Sequence, residues 1–243
     1  MKIKAVVFDK DGTLLDFEKC WIPISREATN VVLARYSAAE YFDEVCERLG
    51  ILPDGTVDID GPLCKGDYTG IAMAYINTLD KHGVKYELKE LIDLITDGFH
   101  LVPEDSETVP VCDNLREILE KLKNEGIKIG FITSDDLIGA KRTLDDIGVY
   151  DLFDVKLAND RVSPAKPDPH YMRVFMKETG FTPDEILMVG DTYSDMDFGI
   201  NSGTRTLGVA RSGSNREKLA KKADYVRSDI SKVFEVIMAI ENE

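Results

Sequence analysis

This chain is poor in several residue types, and each shortage removes a class of function. Histidine occurs three times, and none of the four cysteines (Cys20, Cys46, Cys64, Cys112) belongs to a C-x-x-C pair. A zinc centre built from such ligands is therefore disfavoured, and reduced structural thiols are expected. Basic residues number 30 against 45 acidic ones, for a net charge of -15. That balance argues against nucleic acid or an anionic membrane as partner, since both call for a basic surface. A small phosphorylated ligand needs only a local positive site, so it stays open. No apolar run reaches the ~20 residues of a membrane span, and the charged N-terminus does not resemble a signal peptide. A soluble cytoplasmic protein is expected. Internal repeats and low-complexity tracts are also lacking.

What is present is enough apolar residue, 43% of 243, for a real core. From about residue 105 onward helix and strand patterns alternate. Val111, Leu115, Ile118, Leu119 and Leu122 recur at helical spacing, and Gly126 follows as a stop. Ile127 to Ile132 reads as a buried strand, and a helix carrying Leu137, Ile138, Leu144 and Ile147 comes next. Phe153 to Leu157, Ile186 to Val189 and Thr206 to Val209 are further strand candidates, with a helix from about His170 to Glu178. Together with the apolar segment Ile3 to Phe8, this pattern predicts an α/β core with a doubly wound, mostly parallel sheet. Residues 17–100 read differently. Helical patterns over 24–36, 40–49, 68–82 and 88–99 flank a Gly/Pro/Asp-rich loop at 50–66. The expected organisation is residues 1–16 plus 101–243 as the α/β part, with 17–100 as an all-helical insertion.

The most informative run is Phe8-Asp9-Lys10-Asp11-Gly12-Thr13. Two carboxylates emerge at the carboxyl end of the first strand, the edge where ligands bind in open α/β sheets. Thr133-Ser134 ends a second strand, Lys166 lies in a Pro-rich loop, and Gly190-Asp191-Thr192-Tyr193-Ser194-Asp195 follows a fourth. Such ends converge on one crevice. Carboxylates, one lysine and a hydroxyl suit phosphoryl transfer to a carboxylate nucleophile. A free Asp titrates near ~3.9, so Asp9 is expected ionised at neutral pH. Two like charges ~4 Å apart repel by about 4 kcal/mol at an effective dielectric of ~20. Mg²⁺ held by Asp9, the Asp11 carbonyl and Asp191 would relieve that repulsion. Lys166 and Thr133 would contact the phosphoryl oxygens, and Asp11 would protonate the leaving oxygen and then deprotonate water.

At these residues the chain resembles the haloacid dehalogenase superfamily. The matches are FDKDGTLLD at 8–16, GFITSD at 130–135, AKPDP at 165–169 and GDTYSD at 190–195, in the family's order. The helical insertion looks like the family's cap, and phosphoglycolate phosphatase is a similar member. The resemblance implies that Asp9 is the nucleophile and Asp11 the acid/base, with Thr133, Ser134 and Lys166 on the phosphate. It also implies a Mg²⁺ site at Asp9, Asp11 and Asp191, with Asp195 either a ligand or a support behind one.

Blander readings compete at each position. An EF-hand loop fails, because its fifth, sixth and twelfth positions are Thr13, Leu14 and Cys20. Singly, Asp11-Gly12 fits a turn, Thr133 a strand-end cap, Lys166 a solvated lysine and Gly190-Asp191 an N-capped turn. Four motifs in order favour the site. Asp16, Asp168 and Asp197 read as turn or surface residues, and His82, His100 and His170 as surface or helix-end residues. In the insertion, Trp21, Arg26, Lys65 and Tyr68 are candidates to face substrate, with packing the competing reading for Trp21. The expected activity is Mg²⁺-dependent hydrolysis of a small phosphate monoester through an aspartyl-phosphate. Asp11 separates this from dehalogenation. The alternatives are a sugar phosphomutase of the same superfamily, or a non-catalytic phosphate-binding or phospho-acceptor protein. No motif names the physiological substrate or the oligomeric state.

Overall fold

The computed structural model describes residues 2–66, 68–100 and 107–243. They form two compact units, one of residues 1–16 with 108–243 and one of 17–107. The boundary expected at 100/101 adjoins residues 101–106, which lie outside the described residues.

The first unit opens with β1 (Ala5–Phe8), four residues that are all buried. A central parallel strand is covered on both faces, which is why it reads as an unbroken apolar run. The second unit holds α1 (Phe17–Arg35), α2 (Phe42–Leu49), the short α3 (Pro62–Lys65), α4 (Tyr68–Lys81) and α5 (Leu88–His100). α1 starts seven residues earlier than the sequence pattern predicts, and it carries Pro23 inside it. Proline removes one backbone N–H and clashes with the preceding turn, so the pattern places a boundary there. Burial of Cys20, Ile24 and Ala28 on one face nevertheless continues the helix. The core of this unit gathers Val32 and Leu33 of α1, Val45 and Leu49 of α2, Tyr75 and Leu79 of α4 and Leu91 and Ile95 of α5. Inside it the Thr29 hydroxyl lies 2.9 Å from that of Tyr75. The loop predicted over 50–66 contains α3 and one isolated bridge, Ile51 to Val57.

The chain returns to the first unit with α6 (Leu115–Asn124), β2 (Lys128–Thr133), α7 (Leu137–Asp146), β3 (Val155–Ala158) and α8 (His170–Thr179). It continues through β4 (Ile186–Gly190), α9 (Tyr193–Ser202), β5 (Arg205–Val209), α10 (Gly213–Leu219), β6 (Tyr225–Arg227) and α11 (Val233–Glu241). Among the described residues the strands form one parallel sheet in the order β3-β2-β1-β4-β5-β6. β6 escapes the sequence pattern because it is a three-residue, half-buried edge strand.

Alternation along the strands builds two cores. Val6, Phe8, Ile129, Phe131, Leu187 and Val189 face α6, α7 and α11. Ala5, Val7, Ile132, Ile186 and Met188 face Phe175 of α8 and Phe198 of α9. Each fully buried large side chain contributes about 1.5–3 kcal/mol, enough in sum to hold the strand ends rigidly. The sheet order reverses between β1 and β4, and ligands bind outside the carboxyl ends of strands at such a switch point. None of the four cysteines forms a disulfide. No helix among the described residues is long and apolar enough to cross a membrane.

Candidate active site

Asp9 is the first residue past β1, and its backbone N–H donates to the Val189 carbonyl of β4 (2.9 Å). That bond pins the Asp9 main chain at the switch point. Asp191 is the first residue past β4, and its Oδ1 accepts from the Thr13 hydroxyl (3.0 Å). The turn between Asp9 and Thr13 passes through Gly12 at φ +85°, where a Cβ would lie 2.1 Å from Asp191 Oδ2. Only glycine permits both that backbone conformation and that approach. Gly190 is constrained by close approach alone, since a Cβ there would lie 2.2 Å from Cβ of Asp195.

Asp195 sits in the first turn of α9 and is 1% exposed. Thr192 caps that helix and exchanges bonds with it, donating its hydroxyl to Asp195 Oδ2 (2.6 Å) and its N–H to the same oxygen (3.1 Å). Lys166 bridges the cluster, donating to Asp195 Oδ1 (2.6 Å) and to Asp9 Oδ1. Its side chain is 4% exposed. Carboxylate oxygens of Asp9, Asp191 and Asp195 all lie within 4.8 Å of one another.

The electrostatics follow from that crowding. Burial pushes the Asp9 carboxyl up to about 7, with Lys166 pulling it down and Asp195 and Asp11 pushing it further up. Asp191 is raised well above the carboxylate range, first by burial and then by the charges of Asp195 and Asp9. Lys166 is raised despite burial, because Asp195 and Asp9 outweigh the loss of water. One lysine faces three carboxylates, so the oxygen-rich cluster is short of positive charge. A donor set of hard carboxylate oxygens in that condition fits a hard divalent cation.

Thr133 ends β2 beside β1 and is 3% exposed, its hydroxyl accepting from the Asp135 N–H (3.1 Å). Ser134 follows it, exposed at the same sheet edge. Asp11 does not join the three clustered carboxylates. Lys10, which the sequence reading passed over, takes both its oxygens at 2.9 and 2.8 Å. The signal for Lys10 was a lone cation between two aspartates. Thr13 and Thr192, hydroxyls beside the acidic motif positions, went equally unremarked.

Asp16 corrects an expectation. It is 2% exposed and pairs with Arg211 Nη1 at 2.7 Å. Arg211 also donates to the Val111 carbonyl, and only the fold brings residues so distant in sequence together. Asp168 and Asp197 are surface ion-pair partners of Arg173 and Lys222. In the helical unit, Trp21 lies against Phe17 with ring centroids 6.4 Å apart. Arg26 covers the Phe42 ring, and Lys65 and Tyr68 are exposed. His82 stacks on Tyr41 and bonds to Glu44. The side chain of His100 lies outside the described residues.

Residues 3–203 match the family described as haloacid dehalogenase-like hydrolase. The chain belongs to that family. Membership makes it a hydrolase of α/β architecture, as its motifs led one to expect. Among curated relatives it is similar to pyrophosphatase PpaX of Bacillus velezensis, at 27% identity over 242 residues, covering 97% of this chain and 96% of the relative. PpaX of Listeria monocytogenes is also 27% identical, with 97% of each chain covered. Among solved structures, a predicted phosphoglycolate phosphatase from Haemophilus somnus aligns with a TM-score of 0.72 at 18% identity, covering 98% of this chain and 99% of that one. A HAD phosphatase from Thermococcus onnurineus aligns at 0.63 and 21% identity, covering 97% and 98%. These structural likenesses bear on the fold of this hydrolase.

Proposed function

We propose that this hydrolase is a Mg²⁺-dependent phosphatase acting on a small phosphate ester or anhydride through an aspartyl-phosphate on Asp9. The observation that carries the reading is the cluster of Asp9, Asp191 and Asp195 at the switch point, with the buried Asp9 and Asp195 tied together by Lys166. A hard divalent cation held by those carboxylates supplies charge that keeps them ionised and offsets their repulsion of a phosphate dianion.

This chain's own residues do the rest. An Asp9 oxygen bonds to phosphorus as the bond from phosphorus to the leaving oxygen breaks. Asp11, two residues further round the turn, gives its proton to that leaving oxygen. Water then attacks phosphorus, the bond from Asp9 to phosphorus breaks, and Asp11 takes the proton water gives up. Lys166 and the Thr133 hydroxyl neutralise and orient the phosphoryl oxygens. Ser134, exposed beside Thr133, is available to the same group. Selection of the leaving group is assigned to the helical unit.

The test is a panel of phosphorylated metabolites with Mg²⁺. Pyrophosphate belongs in it because of the PpaX relatives, and phosphoglycolate because of the structural likeness. At least one should be turned over, with EDTA abolishing the activity. Asp9→Asn should fall by about a thousandfold or more. Full activity in that variant, or turnover indifferent to EDTA, overturns the reading.

A further inference from the structure

Lys10 has no task in the scheme above. It is 1% exposed, in a position where a lysine side chain is almost never found unless paired. Its Nζ lies 2.9 Å from Asp11 Oδ1, 2.8 Å from Asp11 Oδ2 and 3.3 Å from Asp135 Oδ2. The Lys10 main chain is held as well, its carbonyl accepting from the N–H groups of Leu14 (2.9 Å) and Leu15 (3.0 Å). Asp135 is fixed in turn. Its N–H donates to Thr133 Oγ1 and its carbonyl accepts from the Asn159 N–H (2.9 Å). One ammonium therefore ties the turn after β1, which carries Asp11, to the turn after β2, which carries Thr133 and Ser134.

Burying an ammonium is costly, and close pairing with hydrogen bonds only offsets that cost, so such a pair is weak evidence of a role in stability. The sheet does not need it, because β1 and β2 are already joined along their whole ladder. The pairing instead acts on Asp11. A carboxylate reached by a single contact can turn about two side-chain torsions, whereas one held through both oxygens has one orientation. Proton transfer depends on that orientation, since displacement of a reacting group by about 1 Å costs about a hundredfold. We propose that Lys10 is a positioning residue, clamped by Asp135, that sets the Asp11 carboxyl where it meets the leaving oxygen. The inference rests on the reading of Asp11 as the acid/base.

Leaving-group dependence separates positioning from mere support. Phosphoryl transfer to a good leaving group needs little help from an acid, and transfer to a poor one needs a great deal. Wild type, Lys10→Met and Asp11→Asn are compared on para-nitrophenyl, phenyl and ethyl phosphate with saturating Mg²⁺. The readout is kcat/KM, which reports the steps through phosphoryl transfer. Lys10→Met keeps the length and apolar stem but deletes the charge. Its loss on ethyl phosphate should exceed its loss on para-nitrophenyl phosphate by about 10- to 100-fold, in the same direction as Asp11→Asn. An equal loss on all three esters would overturn the inference, because a purely structural lysine would lower every rate alike. A flat Asp11→Asn series would instead overturn the acid/base reading, and the Lys10 inference with it. Should Lys10→Met fail to fold, Lys10→Arg retains the charge but displaces the Asp11 carboxylate with a larger fork. The same selective loss on ethyl phosphate supports the inference, and a uniform one overturns it.

Discussion

Asp9→Asn should stabilise the metal-free protein at neutral pH while destroying its activity. Asp9 is 7% exposed and shares its site with Asp195 and Asp191. Burial, with the charges of Asp195 and Asp11, moves its carboxyl from an ordinary 3.8 to about 7, against the pull of Lys166. The folded protein therefore binds the Asp9 proton more tightly than the unfolded chain does. Between those two values the folded state carries more protons, so stability contributed by this group declines as pH rises. At about 1.4 kcal/mol per tenfold change in proton affinity, the loss by about pH 8 is up to about 4 kcal/mol. Asparagine has nearly the same shape and never ionises. Lys166 keeps Asp195 as its partner in the variant.

The assay is chemical denaturation of both proteins in EDTA from about pH 4 to about pH 8, reported as the difference in unfolding free energy, so that every other titrating group cancels. The advantage of Asp9→Asn should be near zero at the acid end and grow to a plateau at the alkaline end. Mg²⁺ at about a hundred times its Kd should return about 2.7 kcal/mol to the wild type, and less to the variant. An advantage that is absent, or that shrinks as pH rises, would refute the claim that the cluster is crowded with negative charge.

Two further outcomes are expected. Gly12→Ala places a methyl 2.1 Å from Asp191 Oδ2 at a left-handed backbone position; it should cost about 1–2 kcal/mol for the backbone alone and should also weaken Mg²⁺ binding, as isothermal titration would show. Arg211→Met takes from the buried Asp16 its guanidinium at 2.7 Å, a charged hydrogen bond whose loss should lower thermal or urea stability by about 1.5–3 kcal/mol.

How much of this was legible in the sequence depends on whether a feature is local. The β/α alternation and the strand ends at Asp9, Thr133 and Asp191 were readable because burial on both faces forces unbroken apolar runs, and a strand's last residue is set by where its run stops. The start of α1 was not, because Pro23 signals a break that packing of Cys20 and Ile24 overrides. β6 was missed because an edge strand of three half-buried residues carries little apolar pattern.

The order of four short motifs determined the family and the α/β class and marked candidate site residues, since three of the four lie at strand ends. The tertiary structure alone decided how those side chains pair. Lys166 meets Asp9 and Asp195 across 157 and 29 residues, and Thr13 meets Asp191 across 178. Lys10 turns to Asp11 and Asp135 and away from solvent. Such pairings, and the burial that shifts Asp9, depend on which chain segments pack side by side, and spacing along one chain does not encode that distance.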